Sequence, residues 1–396
     1  MKDHNFSSWP SHTREEITAV SSVLTSNKVN YWSGEQGKKF EIEFAKWIGS
    51  EYAVALSNGT IALELALKAL GIGSSDEVIV TSRSYFASAS AIISVGAVPV
   101  FADVDLDSQN ISVDTIKHLI TQNTKAILCV HLGGFPCEMD SLINVAKLNK
   151  LYVIEDCAQA HGAKYKGRQV GTFGDVGCWS FCQDKIMTTG GEGGMITTNS
   201  KQISSKVWSY KDHGKSMELS IKKDKETKHQ FKWLHNSFGT NARMTEMQAA
   251  IGRIQLKNID KWHVRRLNNM NNILKAVAAC SGLRVPKIPN HVEHAAYKCY
   301  VFVNTDELKK GWDRDRIIIS INNLGVPCFS GSCPEIYLEE SFENTNFRPK
   351  NRMPVAKKLG ETSLMFLVHP TLTDEEINKT CLAIQRVMKE AVNNSV

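Results

Sequence analysis

The chain has 396 residues, 42% of them hydrophobic and 22% charged, with a formal net charge of +6 at pH 7. This length is sufficient for two domains with a large core, and the composition is typical of a soluble globular enzyme. The positive charges are scattered along the chain rather than clustered in a stripe, which argues against a nucleic-acid partner.

The sequence gives no indication of export or membrane insertion. Residues 1–16 contain no apolar core of a signal peptide, and no apolar run approaches the roughly 18 residues that a membrane-spanning helix needs. The ten cysteines include no CxxC pair and no zinc-like spacing with histidine, so they fit a reducing compartment. We therefore expect a cytoplasmic protein without a metal ion or a membrane partner.

Between residues 50 and 200, short apolar runs alternate with helical patterns. The predicted strands lie at 50–57, 77–82, 98–105, 125–134 and 151–162. The predicted helices lie between them at 59–70, 86–96 and 139–150. Alternation of this kind predicts an α/β fold with a mostly parallel sheet and helices on both of its faces.

The pattern changes after residue 200. Residues 220–230 are strongly charged and predict a mobile, solvated loop. Residues 245–280 are helical in pattern, either as one long helix or as two stacked helices, and Thr245 and Gln248 fit a capping box at the start.

This long helical stretch is expected to link two domains. We place a large domain at 1–264 and a smaller α/β domain at 265–396, with one of the smaller domain's strands at 297–304. The N-terminal segment is a candidate to pack on the smaller domain.

Ligands of a parallel sheet bind where strands end and helices begin, and one such junction is the sequence SNGT at 57–60. This tight turn leads directly into a helix, whose exposed backbone N–H groups and dipole favour an anion, and Thr60 adds a hydroxyl donor. A helix N-cap in which Gly59 relieves strain is the structural alternative.

A second junction is EDCAQAHG at 155–162, where Asp156 stands at the end of the most apolar strand. An ionised carboxylate there is costly unless a cation meets it, and a protonated pyridine nitrogen would be such a partner. A helix-capping aspartate is the alternative. Gln159, about one turn further on, is placed to reach the same ligand.

Two further residues stand near such junctions. Lys185 lies in the polar, glycine-rich segment SFCQDKIMTTGGEGGM at 180–195, where a solvated surface charge is its ordinary interpretation. Tyr85 precedes small residues that leave room for it to stack on a flat ring, although core packing would explain it equally well.

Together these residues are the parts of a pyridoxal phosphate site. Such a site uses a lysine for the Schiff base, an acidic group for the ring nitrogen, a helix N-terminus for the phosphate and an aromatic over the ring. We therefore predict pyridoxal 5'-phosphate as cofactor and Lys185 as the catalytic residue.

The chain resembles the sugar aminotransferases of the DegT/DnrJ/EryC1/StrS family, which have the aspartate-aminotransferase fold (fold type I). The likeness runs from 30–67 to 364–377 and is strongest at 155–163, 180–195 and 239–256. Each motif is modestly specific, but their order and spacing are very specific. The resemblance implies a PLP-dependent transferase fold type I, with a mostly parallel large domain and a smaller α/β C-terminal domain.

The resemblance also implies roles for single residues around the cofactor ring. Lys185 matches the Schiff-base lysine, Asp156 the partner of the pyridine nitrogen, and Gln159 the residue near the ring hydroxyl. Tyr85 matches the aromatic that stacks on the ring.

The remaining matches concern the phosphate. Gly59, Thr60 and Ser180 match phosphate ligands of the same subunit. Asn241 matches an asparagine that reaches the phosphate from the second subunit, which implies a homodimer with shared active sites.

Two departures from the family pattern affect the substrate pocket. Many members have a histidine where this chain has Cys182, and VPCFSGSCPEIY at 326–337 replaces a histidine-rich stretch. Pocket shape in this region determines the nucleotide, the aminated carbon and its stereochemistry, so distant members are poor guides to the substrate.

The expected activity is transfer of an amino group from L-glutamate to a nucleotide-linked keto-deoxysugar, for bacterial surface polysaccharide such as the O-antigen of lipopolysaccharide. Pyridoxamine 5'-phosphate would be the intermediate form of the cofactor. The favoured ketone is C4 of a 4-keto-6-deoxy hexose, with a UDP-linked 2-acetamido sugar as the preferred case.

Several alternatives remain open. The 3-dehydratases of the family carry histidine in the lysine position, so Lys185 argues against them. Aminotransferases for 3-keto sugars or cyclitols and aminohydroxybenzoate synthases share the core motifs. A non-catalytic relative would be expected to lose the lysine, the aspartate or the phosphate turn, and all three are present here.

Overall fold

The computed structural model describes residues 6–220 and 233–392. The strands up to residue 200 are β1 (Tyr52–Leu56), β2 (Glu77–Thr81), β3 (Val98–Ala102), β4 (Thr124–Val130), β5 (Tyr152–Asp156), β6 (Lys164–Tyr165), β7 (Arg168–Gln169), β8 (Val176–Ser180) and β9 (Gly194–Thr198). Seven of them form one large sheet in the order β1-β9-β8-β5-β4-β2-β3. All neighbours pair in parallel except β9, which is antiparallel to β1 and to β8. The predicted α/β class with a mostly parallel sheet is confirmed.

Both faces of the large sheet are buried, because successive residues of its strands enter different cores. On β2, Val78 and Val80 join one cluster and Ile79 joins another. On β5, Ile154 and Val153 divide in the same way. This two-sided burial explains the continuous apolar runs of the sequence, since each side chain of a covered parallel strand meets a packed layer.

The helices of the described residues are α1 (Arg14–Thr25), α2 (Gln36–Ile48), α3 (Gly59–Ala69), α4 (Ala87–Ser94), α5 (Val113–Ile116), α6 (Met139–Asn149), α7 (Lys201–Lys211), α8 (Glu246–Ala278), α9 (Arg314–Asn323), α10 (Pro354–Thr362) and α11 (Asp374–Ala391). Among them α3, α4 and α7 contribute to one of these layers, and α5 and α6 to the other. The stretch predicted at 245–280 is one continuous helix, and Thr245 and Gln248 form the predicted capping box. The loop predicted at 220–230 lies, apart from Ser220, outside the described residues.

The C-terminal region, residues 279–392, has its own sheet. Its strands are β10 (Leu283–Arg284), β11 (Val292–Glu293), β12 (Cys299–Val303), β13 (Cys328–Phe329) and β14 (Ser363–Phe366). Four of them form an antiparallel sheet in the order β10-β12-β14-β13, whereas β11 pairs with β6. Its core includes the end of α8 and the buried face of α11, and Phe6 packs against it. The domain boundary placed after residue 264 falls inside α8 and stays a prediction.

Among the described residues, none of the helices combines the length and the apolar character needed to cross a bilayer.

The end of β5 carries two acidic residues that point to opposite faces of the sheet. Glu155 is fully buried, and its carboxylate accepts hydrogen bonds from the backbone N–H groups of Gly171 (2.7 Å), Phe173 (2.8 Å) and Gly174 (2.7 Å). It also accepts one from Nε2 of His131 at 3.1 Å, because Nδ1 of that ring already accepts from a backbone N–H.

The same network includes a group of side chains of the types that bind metal ions. His131, Glu155 and Cys157 have ligand atoms within 4.8 Å of one another. The hydrogen bonds of Glu155 and His131 already use the atoms that would bind an ion. We therefore interpret the group as a structural network that fixes the loop at 171–174.

Replacing Glu155 with Gln should destabilise the fold, since the amide N–H₂ would face groups that themselves donate. We expect a loss of about 3 kcal/mol in the free energy of unfolding, measured by urea denaturation. The matched control is Glu51→Gln, at an exposed position, which should change it by no more than about 0.5 kcal/mol. Equal stabilities of the two variants would contradict this role of Glu155.

Candidate active site

A cavity of about 760 Å³ opens where the large sheet meets the C-terminal region. β5 and β8 are parallel neighbours, so their carboxyl ends lie at the same edge, where ligands of such sheets bind. Seven of the eight residues predicted for the site line this cavity: Gly59, Thr60, Tyr85, Asp156, Gln159, Ser180 and Lys185.

One end of the cavity is a polar turn at the start of α3. The side chain of Asn58 caps this helix by accepting from the N–H of Ile61 at 2.9 Å. The N–H groups of Gly59 and Thr60 precede the first hydrogen bonds within the helix, so they are available to an anion. A Cβ on Gly59 would lie 2.6 Å from Cβ of Ser180, so only glycine lets the turn approach β8 this closely. The turn, the helix end and the serine suit a phosphate.

Asp156 lies on the cavity wall and is 6% exposed. One carboxylate oxygen accepts from the N–H of Ala158 at 3.1 Å and the other from Oγ of Ser88 at 2.9 Å. Burial raises the pKa of Asp156, although these hydrogen bonds and the charge of Lys185 act in the opposite direction. A helix-capping role therefore explains the hydrogen bond to only one of the two carboxylate oxygens. The position of the carboxylate fits a cationic N–H donor such as a protonated pyridine.

Lys185 is not a solvated surface charge, because its side chain is only 16% exposed. Its Nζ lies 3.9 Å from Oδ1 of Asp184 and 5.3 Å from the centroid of the Tyr297 ring. Its backbone is held on both sides, with the N–H donating to Cys182 O at 3.1 Å and the carbonyl accepting from Nε1 of Trp9 at 2.8 Å. The amine is therefore presented to the cavity from a fixed main chain.

Gln159 and Tyr85 occupy different depths of the cavity. Gln159 is 7% exposed, and its side-chain oxygen accepts from the N–H of Gly133 at 2.7 Å, which leaves its amide nitrogen for a ligand. Tyr85 is 71% exposed and lies at the cavity wall, so core packing does not explain it. The positions of Gln159 and Tyr85 both fit the contacts predicted with the flat ring of the cofactor.

Asn241 is the one predicted site residue that is absent from the lining of this chain's cavity. It is exposed and forms an isolated antiparallel bridge with Asp212. Its predicted contact with a neighbouring subunit stays a prediction.

Sequence motifs did not identify the wall contributed by the C-terminal region. Tyr297 is buried, and its hydroxyl donates to Oδ2 of Asp184 at 2.5 Å, while Lys298 and Tyr300 line the cavity beside it. The only sequence signal is the position of these polar and aromatic residues at the start of a strand.

The two departures from the family pattern both face the cavity. Cys182 lines it, and its Sγ lies 3.8 Å from Oε1 of Glu192. Residues 331–333, from the stretch 326–337, form another part of the lining. Substitutions at these positions therefore change the shape of the pocket itself.

Comparison with known proteins identifies the family. The model of the DegT/DnrJ/EryC1/StrS aminotransferase family matches residues 10–385. The chain is similar to GDP-perosamine synthase of Escherichia coli O157:H7, with 36% identity over 375 residues that cover 95% of this chain and 96% of that protein.

Two other proteins are similar over nearly the full length. A UDP-N-acetyl-3-dehydro-alpha-D-glucosamine 3-aminotransferase of Acidithiobacillus ferrooxidans is 32% identical, with 95% of this chain and 94% of that protein covered. The solved structure of an aminotransferase from Psychrobacter cryohalolentis is 57% identical with a TM-score of 0.95, and 97% of this chain and 99% of that chain are covered. The chain therefore belongs to the DegT/DnrJ/EryC1/StrS aminotransferase family and is a pyridoxal-phosphate-dependent aminotransferase.

Proposed function

We propose that this enzyme transfers the amino group of L-glutamate to the ketone of a nucleotide-linked keto-deoxysugar, for synthesis of a bacterial surface polysaccharide. The observation that carries the proposal is the single cavity in which Lys185 and the buried Asp156 meet the phosphate turn of α3. Lys185 favours amino transfer over the dehydratase alternative. The relatives named for a GDP sugar and for a UDP-linked N-acetyl sugar support a nucleotide sugar as acceptor.

Bound pyridoxal phosphate would supply an electron sink for the carbon that carries the amine. The helix end at Gly59 and Thr60, together with Ser180, would hold the phosphate group. Asp156 would keep the ring nitrogen protonated, since a carboxylate with so few donors gains from a cationic partner.

Lys185 would move the protons of the reaction. As general base its Nζ takes the proton from the α-carbon of glutamate, and as general acid it later protonates the sugar carbon that receives the amine. The hydrogen bond from Tyr297 to Asp184 orients the carboxylate that faces this ammonium group. Because Lys185 is mostly buried, bulk water has limited access to the proton in transit.

The favoured acceptor is a UDP-linked 2-acetamido-4-keto-6-deoxy hexose. Because one relative is named as a 3-aminotransferase, C3 is the alternative position for the new amino group. Incubation with L-glutamate and a panel of UDP-, dTDP- and GDP-linked 3-keto and 4-keto sugars, with product identification by NMR, tests both. We expect a 4-amino product from the UDP-linked sugar. A 3-amino product would show that C3, and not C4, is the carbon that receives the amino group. The absence of any amino sugar among the products would contradict the proposal.

Asp156→Asn should leave part of the cofactor bound but lower kcat by about 100-fold, because a neutral amide cannot keep the ring nitrogen protonated. Cofactor content is measured by absorbance and kcat by 2-oxoglutarate formation. The matched control is Asp140→Asn, at an exposed position outside the cavity, which should leave both unchanged. Near-normal turnover of the Asp156 variant would reduce this residue to a helix cap.

The enzyme is proposed to work as a homodimer in which Asn241 binds the phosphate of the partner's site. Support comes from the exposure of Asn241 and from large exposed aromatics near it in sequence and at the cavity. Phe238 is 97% exposed and Tyr85 is 71% exposed, which is unusual for side chains of this size unless another surface covers them.

Mixed dimers test this arrangement. Asn241→Ala alone should weaken cofactor binding about tenfold or more, since one hydrogen bond to a phosphate is lost. A heterodimer of one Lys185→Ala chain and one Asn241→Ala chain should contain one intact site and one doubly defective site. It should therefore show half of the wild-type activity at limiting cofactor.

The opposite outcome is equally clear. If Asn241 serves its own chain, the only site with a lysine also has the weakened phosphate contact. Activity of the heterodimer would then recover only as cofactor is raised, and that result would exclude shared sites.

A further inference from the structure

Lys298 lies between two cavities and is not part of the machinery described so far. It lines the catalytic cavity and also a second cavity of about 590 Å³, and the two share Asp184, Tyr297 and Lys298 in their walls. Its Nζ lies 4.8 Å from the centroid of the Tyr297 ring, and Nζ of Lys185 lies 5.3 Å from the same centroid. Two ammonium groups are thus held around one aromatic ring.

Among the described residues, Lys298 has no carboxylate as a direct ion-pair partner. In the described part of the chain, no carboxylate oxygen lies within 4.0 Å of its Nζ. Asp184 acts on it from a greater distance, but that carboxylate already accepts from Tyr297 and faces Lys185. Burial lowers the pKa of Lys298 to about 8, with Asp184 raising it and the charges of Arg266 and Lys185 lowering it.

Arg266 adds to the excess of positive charge. It is 1% exposed, and within residues 6–220 and 233–392 its Nε and Nη2 make no hydrogen bond. Its Nη1 reaches only the backbone carbonyls of Ala296 and Tyr297, each at 3.4 Å. Three cations, Lys185, Lys298 and Arg266, are therefore influenced by one carboxylate, that of Asp184, and an anion entering beside Lys298 would be stabilised.

The phosphate turn does not account for this charge, because it is formed by other residues on α3 and β8. The ligand that must come close to Lys185 with its own amine is the amino donor. L-Glutamate carries one carboxylate carbon two bonds from its amine nitrogen and the other four bonds from it. A carboxylate of this donor is therefore a suitable partner for the ammonium group of Lys298 when the donor's amine faces Lys185.

We propose that Lys298 is a substrate-binding residue that holds a carboxylate of the amino donor while the donor's amine faces Lys185. This assignment rests on the proposed use of an amino-acid donor by the same site. Lys298 would then contribute to the affinity for the amino donor and would take no part in proton transfer.

The test separates binding from chemistry in the holoenzyme. Lys298→Met is titrated calorimetrically with glutarate, a dicarboxylate without an amine that binds but cannot react. Its reaction with L-glutamate and its reaction with the keto-sugar are followed separately by the absorbance of the cofactor. Lys298→Arg serves as the charge-preserving rescue, and Lys310→Met, at an exposed position outside both cavities, is the matched control.

We expect Lys298→Met to weaken glutarate binding and to raise the KM for glutamate about tenfold or more, since one charge-assisted hydrogen bond is lost. The rate at saturating glutamate and the KM for the sugar should stay within about twofold of wild type, and Lys298→Arg should restore most of the affinity. Unchanged glutarate binding, or a loss confined to the sugar reaction, would overturn the proposal. A wild-type enzyme that fails to react with glutamate would instead count against the proposed function.

Discussion

The site depends on how the end of β5 distributes two neighbouring carboxylates. Strand alternation sends Glu155 to one face of the sheet and Asp156 to the other. In the described part of the chain, four donors satisfy Glu155 and fix the loop at 171–174, whereas Asp156 receives two and faces the cavity. The first carboxylate therefore stabilises the fold, and the second is placed to accept from a cationic ligand.

Lys185 is held by three parts of the chain that are far apart in sequence. β8 delivers its main chain to the sheet edge, Trp9 binds its carbonyl, and Tyr297 orients the carboxylate beside its amine. These three contacts come from the large sheet, the N-terminal segment and the C-terminal region. Small displacements of the C-terminal region would therefore reach the amine through Asp184 and the carbonyl through Trp9, so the position of the lysine is sensitive to the packing of the whole molecule.

The sequence predicted what is local and missed what is assembled over long distances. Gly59 and Asp156 stand at a helix start and a strand end, and the alternation of apolar runs locates such ends directly. Whether residues 245–280 form one long helix or two depends on how α8 packs against the rest of the molecule. The spacing of apolar residues along the sequence does not show this packing. Tyr297 and Lys298 carry no motif, and Tyr297 reaches the site through a hydrogen bond to Asp184, 113 residues away in sequence. The solvent exposure of Asn241 likewise depends on the tertiary structure and does not follow from its neighbours in sequence.

The segment at residues 7–9, which holds the carbonyl of Lys185, is itself attached to α11. The N–H and the hydroxyl of Ser7 donate to Glu376 on α11 at 2.5 and 3.0 Å, across 369 residues, and the hydroxyl of Thr371 donates to Ser8 O at 2.8 Å. During synthesis this segment leaves the ribosome well before α11, the helix that carries Glu376. The large sheet is thus able to form while translation continues, whereas the support behind Lys185 is completed only after α11 has emerged.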